Sequence, residues 1–295
     1  ESKKYFVNYE LFDQWQWLSD GRVVVISEKG GYVQAYMYSA QGVEHKCLTP
    51  SHRDITAVYG YDDMTQTLYY QAANTPMTRQ VYALNVKKNI TTQLTTEEGT
   101  HTLRFAKDWK SYIECYHSTT TPHTYTLYKA SNNGQWIKEK IVLANDSILE
   151  AWNALGVNEK EFFTITTERG DELQYYLIYP KDFNPSKRYP VLITQYSGPG
   201  SQQIENRYTT DWEETLARNG YIVACCDARG TGYRGEDFKK VTYANLGHCE
   251  VEDQLSFARH LAKQKFIDDS RIGIYGWSFG GFMALNCALK GDGIF

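Results

Sequence analysis

The residues best suited to chemistry lie near the C-terminal end, in Gly276-Trp277-Ser278-Phe279-Gly280, a G-x-S-x-G pentapeptide. Alone, such a pattern arises often by chance. Its context favours a nucleophile. Arg271 to Tyr275 reads as a short buried strand, and Gly281 to Leu289 reads as a helix-like run. A serine on a sharp strand-to-helix turn has an exposed hydroxyl, and the turn needs small residues on either side, here Gly276 and Gly280. Gly281 and Ala284 would let the helix pack close to a sheet. Ser278 would then stand beside a helix N-terminus, where developing negative charge is favoured.

A serine hydroxyl is a poor nucleophile near neutral pH and needs a base, normally a histidine oriented by a carboxylate. In α/β-hydrolases the chain order is Ser, then Asp or Glu, then His. The 17 residues after Ser278 include no His. Asp292, in a Gly-Asp-Gly turn, is too near the elbow to be the acid. His248 and His260 precede the serine and read as helix-flank residues. The expectation is a nucleophile without its base: a chain truncated at this end, or an inert one.

The surrounding elements fit a sheet that could carry the turn. Phe162 to Thr166 and Leu173 to Tyr179 read as a paired β-start, and Pro190 to Tyr196 as a strand ended by Gly198-Pro199-Gly200. Asp211 to Arg218 reads as a short helix stopped by Asn219-Gly220. Tyr221 to Cys226 is apolar throughout, as a buried parallel strand should be. Glu250 to Lys263 sets Val251, Leu255, Ala258 and Leu261 on one helix face. Strands alternating with helices predict an α/β domain over 156–295 with a mainly parallel sheet.

The first half has a different period. Val23 to Ile26 with Val33 to Tyr38, Leu68 to Gln71 with Val81 to Leu84, and Tyr112 to Tyr116 with Tyr125 to Tyr128 read as three hairpins. Their later strands start at 35, 81 and 125, a period near 45, as in β-propeller blades. A β-sandwich is the alternative. Residues 1–155 are therefore expected to be propeller blades, and three blades are too few to close a ring, so the chain is expected to be incomplete at its beginning as well. Of His45, His52, His101, His117 and His123, none pairs with another at ligand spacing on a shared helix, and most read as turn or surface residues.

Composition narrows the partners. The 295 residues are 22% charged and 42% hydrophobic, with net charge −4 and no basic stripe, so a nucleic-acid backbone is not an expected partner. No apolar run approaches a membrane span. Aromatics reach 15%, which favours β-structure. The six cysteines show no CxxC spacing, so a zinc site is not expected, and the chemistry read from Ser278 calls for no cofactor. Adjacent Cys225 and Cys226 should point to opposite faces of a strand. Asn89-Ile90-Thr91 and Asn145-Asp146-Ser147 fit the glycosylation sequon, a common pattern.

Four ordered motifs carry a resemblance: Tyr196-Ser197-Gly198-Pro199-Gly200-Ser201-Gln202, Asp227 to Gly235, Glu250-Val251-Glu252-Asp253-Gln254, and Gly276 to Gly281. With them the chain resembles the dipeptidyl peptidase IV-type serine peptidases of the prolyl oligopeptidase family, across nearly all its length and most sharply from Tyr189 onward. The resemblance implies β-propeller blades followed by an α/β-hydrolase domain. It implies that Ser278 is the nucleophile and that the Tyr196 hydroxyl and the Phe279 backbone N–H form the oxyanion hole. Trp277 matches a residue beside the active centre, with a structural role or a substrate contact. Asp227 and Arg229 match a loop-bracing ion pair. Phe279 replaces the Tyr common in the family, with little consequence since its backbone acts. The implied catalytic Asp and His, proline pocket and much of a homodimer surface are expected beyond Phe295. The paired glutamates that hold a substrate's free amino terminus are expected before Glu1, since neither Glu97-Glu98 nor Glu213-Glu214 matches them.

The implied activity is a serine exopeptidase releasing short N-terminal peptides after Pro or Ala, acting on peptides with a free amino terminus, in the periplasm or at the cell surface. An acylaminoacyl peptidase or esterase of the same fold, and a non-enzymatic binding protein, are the alternatives.

Overall fold

The computed structural model describes residues 5–11, 13–156 and 158–295. The chain forms two compact units. One takes the chain up to Asp146 together with Asn206–Tyr208 and Tyr233–Asp237; the other comprises Ser147–Glu205, Thr209–Gly232 and Phe238–Phe295.

The first unit is built from four-stranded antiparallel meanders. Strands β1 (Trp15–Trp17), β2 (Val23–Ser27), β3 (Gln34–Tyr38) and β4 (Glu44–Cys47) pair in chain order. So do β5 (Ile55–Asp62), β6 (Thr67–Ala73), β7 (Arg79–Asn85) and β8 (Ile90–Gln93), and then β9 (Thr100–Phe105), β10 (Ser111–His117), β11 (Thr124–Ala130) and β12 (Trp136–Leu143). One bridge, Arg79 to Thr100, links the second meander to the third. The third strands start at 34, 79 and 124, 45 residues apart each time. A four-stranded meander repeated at that period is a propeller blade. The three expected hairpins are all present, with Val25 opposite Tyr36, Tyr70 opposite Tyr82 and Tyr112 opposite Tyr128.

Burial follows strand position. β6 is buried on both faces, whereas β8 is exposed along its length. Leu18, Val24, Ile26, Ala35, Leu68 and Leu84 share one core spanning the first two blades. Much of the aromatic excess lies between the second and third blades. The Tyr69 ring stacks on Trp109 at 5.2 Å and meets Phe105 at 4.5 Å, and Tyr112 packs on Trp136 at 4.7 Å. Aromatic rings bury much apolar area per residue, which suits the gap between two splayed sheets.

Two of the five histidines in this unit are not at the surface. His101 on β9 and His117 at the end of β10 are buried. Burying a polar ring requires partners for its nitrogens. His101 has them: Nδ1 lies 2.7 Å from Glu114 Oε1, and Nε2 lies 2.8 Å from the Glu97 carbonyl.

In the second unit five strands form one sheet: β13 (Lys160–Thr166), β14 (Glu172–Ile178), β15 (Tyr189–Thr194), β16 (Ile222–Cys226) and β17 (Ile267–Tyr275). Their order is β13-β14-β16-β15-β17; β13, β14 and β16 pair antiparallel, and β16, β15 and β17 run parallel. In chain order the helices are α1 (Asp146–Leu155), α2 (Trp212–Arg218), α3 (Glu236–Lys240), α4 (Cys249–Ala262) and α5 (Phe279–Lys290). Asp211 caps α2 through the Glu213 N–H at 2.9 Å, while its own N–H donates to Glu214 Oε2 at 3.0 Å. That reciprocal box starts the helix, and Gly220, at φ +90°, follows its end. The face of α4 read from the sequence is buried, with Phe257, Ala258 and Leu261 joining Ile193, Ile222, Ala224 and Ile272 in one core. The chain is thus propeller blades followed by an α/β-hydrolase domain. Among the described residues no helix is long and apolar enough to cross a membrane.

Candidate active site

Parallel pairing of β15 and β17 brings the candidate residues to one edge of the sheet. Thr194 is in register with Tyr275, and the Gln195 N–H continues the ladder to the Tyr275 carbonyl at 3.1 Å. Tyr196 and Ser278 therefore leave the carboxyl ends of adjacent strands, where open α/β sheets bind ligands.

Between β17 and α5 the chain turns at Ser278, whose φ of 55° and ψ of −116° are rare for a residue with a side chain. Such a conformation costs about 1–3 kcal/mol and persists only where the surroundings impose it. Here they do. The Gly280 N–H donates to the Trp277 carbonyl at 2.8 Å, and the N–H groups of Gly281 and Phe282 donate to the Ser278 carbonyl at 2.9 and 3.2 Å. A Cβ on Gly276 would lie 2.2 Å from the Gly280 oxygen, and one on Gly280 would lie 2.5 Å from the Gln195 carbonyl. The two glycines are required for room. Ser278 is exposed and its side chain does not cap α5, which leaves Oγ to solvent or substrate. The Phe279 N–H, first in the helix, has no carbonyl one turn earlier within α5 to bind. It is a donor suited to an oxyanion.

Tyr196 is half-buried, with its ring centroid 6.3 Å from that of Phe279. Its N–H donates to Gln203 Oε1. Asp227 in turn accepts the N–H groups of Gln203 and Ile204, at 3.0 and 2.9 Å. Gly198 is needed beneath the ring, since a Cβ there would come within 2.3 Å of Tyr196 Cε1. Trp277 is 77% exposed.

Arg229 differs in partner from the sequence reading, which set it against Asp227. Its guanidinium grips Asp253 of α4, with Nη2 at 2.8 Å from Oδ1 and Nε at 3.0 Å from Oδ2, and its backbone N–H adds a third bond at 2.8 Å. Glu252 and Asp171 each approach at 3.3 Å. Burial pushes the Asp253 carboxyl up while Arg229 opposes the shift, and Asp253 raises Arg229 in turn. Glu213 accepts hydroxyls from Tyr176 and Thr194 at 2.7 Å each and pairs with Lys160 at 3.2 Å. It braces the sheet, and Glu214 completes the α2 cap. The unit's two histidines are His248, 3.6 Å from Glu252, and His260, 3.4 Å from the Tyr175 hydroxyl. All six cysteines are free. Among the described residues no cluster of three or more His, Cys, Asp or Glu could hold a metal.

Residues 1–123 match the family described as "Dipeptidyl peptidase IV (DPP IV) N-terminal region", and residues 208–295 match "Prolyl oligopeptidase family". These two matches place the chain's similarity with the dipeptidyl peptidase IV-type members of the prolyl oligopeptidase family. Dipeptidyl peptidase 4 of Trichophyton equinum is 30% identical over 279 residues, covering 92% of this chain and 36% of that protein. A probable dipeptidyl-aminopeptidase B of Ajellomyces dermatitidis is 30% identical over 281 residues, covering 94% of this chain and 30% of that protein. The crystal structure of Porphyromonas gingivalis dipeptidyl peptidase 4 superposes with a TM-score of 0.93 at 38% identity, covering all of this chain and 41% of that one. The chain thus spans well under half the length of these relatives.

Two amides of the site, Gln195 and Gln203, escaped sequence reasoning, and a third, Gln254, was read only as the last residue of a motif, without a role. Their importance lies only in where the fold puts them, and no spacing rule marks them.

Proposed function

We propose that the protein carrying this chain is a serine exopeptidase that forms an acyl-enzyme on Ser278. The observation that carries the reading is the strained, exposed serine at φ 55° between a parallel strand and a helix, with Tyr196 leaving the neighbouring strand. In the proposed reaction Ser278 Oγ attacks the scissile carbonyl as its proton passes to a histidine base. The carbonyl oxygen becomes an oxyanion and accepts hydrogen bonds from the Tyr196 hydroxyl and the Phe279 N–H. Collapse expels the amine, which takes the proton from the histidine, and water then hydrolyses the ester. Donors placed where charge develops act on the transition state more than on bound substrate.

The specificity proposed is release of N-terminal dipeptides after Pro or Ala. Similarity to dipeptidyl peptidase 4 and to a dipeptidyl-aminopeptidase B supports the dipeptide length, and the resemblance of the motifs supports Pro or Ala. A proline ring arrives with φ already fixed, so a compact pocket orders it at little entropic cost. The test compares Xaa-Pro-, Xaa-Xaa-Pro- and Xaa-Lys-p-nitroanilides, each with free and blocked amino termini. The account predicts hydrolysis of free Xaa-Pro-p-nitroanilide at least about 100-fold above the others, a difference of roughly 2.7 kcal/mol in the barrier. Preference for blocked termini would move the protein to the acylaminoacyl branch. No hydrolysis of any substrate would favour a binding protein.

A further inference from the structure

Tyr196 is flanked in the chain by two side chains that tie its loop to the serine turn. Gln195 is 2% exposed, and its Nε2 donates to the Gly280 carbonyl at 2.7 Å. Its Oε1 accepts the Ser197 hydroxyl at 3.1 Å. Ser197, 1% exposed and at φ 58°, accepts in turn from Gln254 Nε2 at 3.1 Å, and the same Nε2 donates to the Cys226 carbonyl at 2.9 Å. One buried amide thus joins the turn, the loop and, through Ser197 and Gln254, the end of β16 and helix α4. Gln195 also occupies the room left by Gly276, where an added Cβ would come 2.6 Å from Gln195 Nε2.

We infer that Gln195 is a positioning residue, which sets the Tyr196 hydroxyl against the Phe279 N–H by fastening the Tyr196 loop to the Gly280 carbonyl. The inference rests on the reading of Tyr196 as an oxyanion donor. A serine turn without this amide could still present Ser278, but residue 196 would then be fixed only by the backbone ladder that ends at the Gln195 N–H and by Gln203, with no side chain tying its loop to the Gly280 carbonyl. Low exposure makes the bond count, because no water stands ready to replace it, and a displacement of about 1 Å in a catalytic group lowers turnover by up to about 10²-fold.

The test is a double-mutant cycle in the protein carrying this chain, read as kcat and KM on Xaa-Pro-p-nitroanilide, with melting temperatures for every variant. Tyr196→Phe is expected to lose about 10²–10³-fold in kcat. Gln195→Leu is expected to lose about 10-fold or more in kcat with KM within about twofold, and in the Tyr196→Phe background it should cost no more than about twofold. Losses that multiply in the double variant, or wild-type kcat in Gln195→Leu, overturn the inference while leaving Tyr196 in place. A wild-type kcat in Tyr196→Phe removes the oxyanion reading and the inference with it. Gln195→Glu covers the case in which the leucine variant does not fold. Its carboxyl can donate to the Gly280 carbonyl only when protonated, so its kcat relative to wild type should rise as pH falls. A ratio independent of pH overturns the inference.

Discussion

At the residue scale, Ser278 alone in its pentapeptide takes a positive φ, while its two flanking glycines do not. The strain is therefore carried by the residue with the hydroxyl, and the glycines supply space. The difference is testable. Gly280→Ala would place its methyl 2.5 Å from the Gln195 carbonyl and 3.2 Å from Tyr196 Cα, both backbone atoms. Overpacking of this kind costs about 1–3 kcal/mol and here displaces the oxyanion loop. We expect kcat to fall by about 10²-fold and the melting temperature to drop. Gly281→Ala meets nothing closer than the Gly276 oxygen at 3.4 Å and should stay within about threefold of wild type. Steady-state kinetics on the two variants decides; equal losses would show that the turn does not discriminate between these positions. The serine and its glycines were legible in the sequence because the motif encodes steric rules. Arg229 was legible only in part: its need for a carboxylate was foreseen, but Asp253 reaches it from α4, and helix docking is a tertiary fact.

At the scale of elements, the blades show how much periodicity reveals. Four-stranded repeats announce themselves by spacing, and all three hairpins formed in their expected pairings. Helix α1 went unread although Ile148, Trp152 and Leu155 recur at helical spacing, in a segment between the two repeating patterns, and α3 is only five residues long. Strand order escaped too. Nothing in the sequence says that β15 lies between β16 and β17, which is what sets Tyr196 beside the serine turn.

The end of β10 adds a pH-dependent element within the first unit. His117 Nδ1 accepts the Tyr208 N–H at 3.1 Å, and its ring stacks on His123 at 4.1 Å. Burial foremost, then His123, Arg207 and His101, pull the His117 pKa down to about 4. The unfolded chain takes up this proton near pH 6.5, whereas the folded chain resists until about pH 4. The stabilisation is therefore complete above pH 6.5 and is lost progressively as pH falls to about 4. A shift of that size is worth up to about 3 kcal/mol, and on the order of 1–2 kcal/mol once solvent screening is allowed for. His117→Asn, whose amide oxygen can accept the same N–H, should show a shallower decline in melting temperature from pH 6.5 to 4 than wild type. Parallel curves would show that His117 does not titrate in this way.

On the scale of the whole molecule, net charge −4 and an acidic pI of about 6.0 give no electrostatic handle for an anionic polymer, and the chemistry concentrates where β15 and β17 end. The blades occupy the first half of the chain and the hydrolase sheet the second; residues 1–123 match the dipeptidyl peptidase IV N-terminal region and residues 208–295 the prolyl oligopeptidase family. The account turns on a single atom, Ser278 Oγ. Its most direct test is mass-spectrometric mapping of a fluorophosphonate adduct on the protein carrying this chain, with residual hydrolysis of Xaa-Pro-p-nitroanilide measured in parallel. The account predicts one adduct per chain, on Ser278, rising in step with loss of hydrolysis, and neither adduct nor hydrolysis in Ser278→Ala. Complete inactivation with the label on another residue, or undiminished hydrolysis by Ser278→Ala, would contradict it.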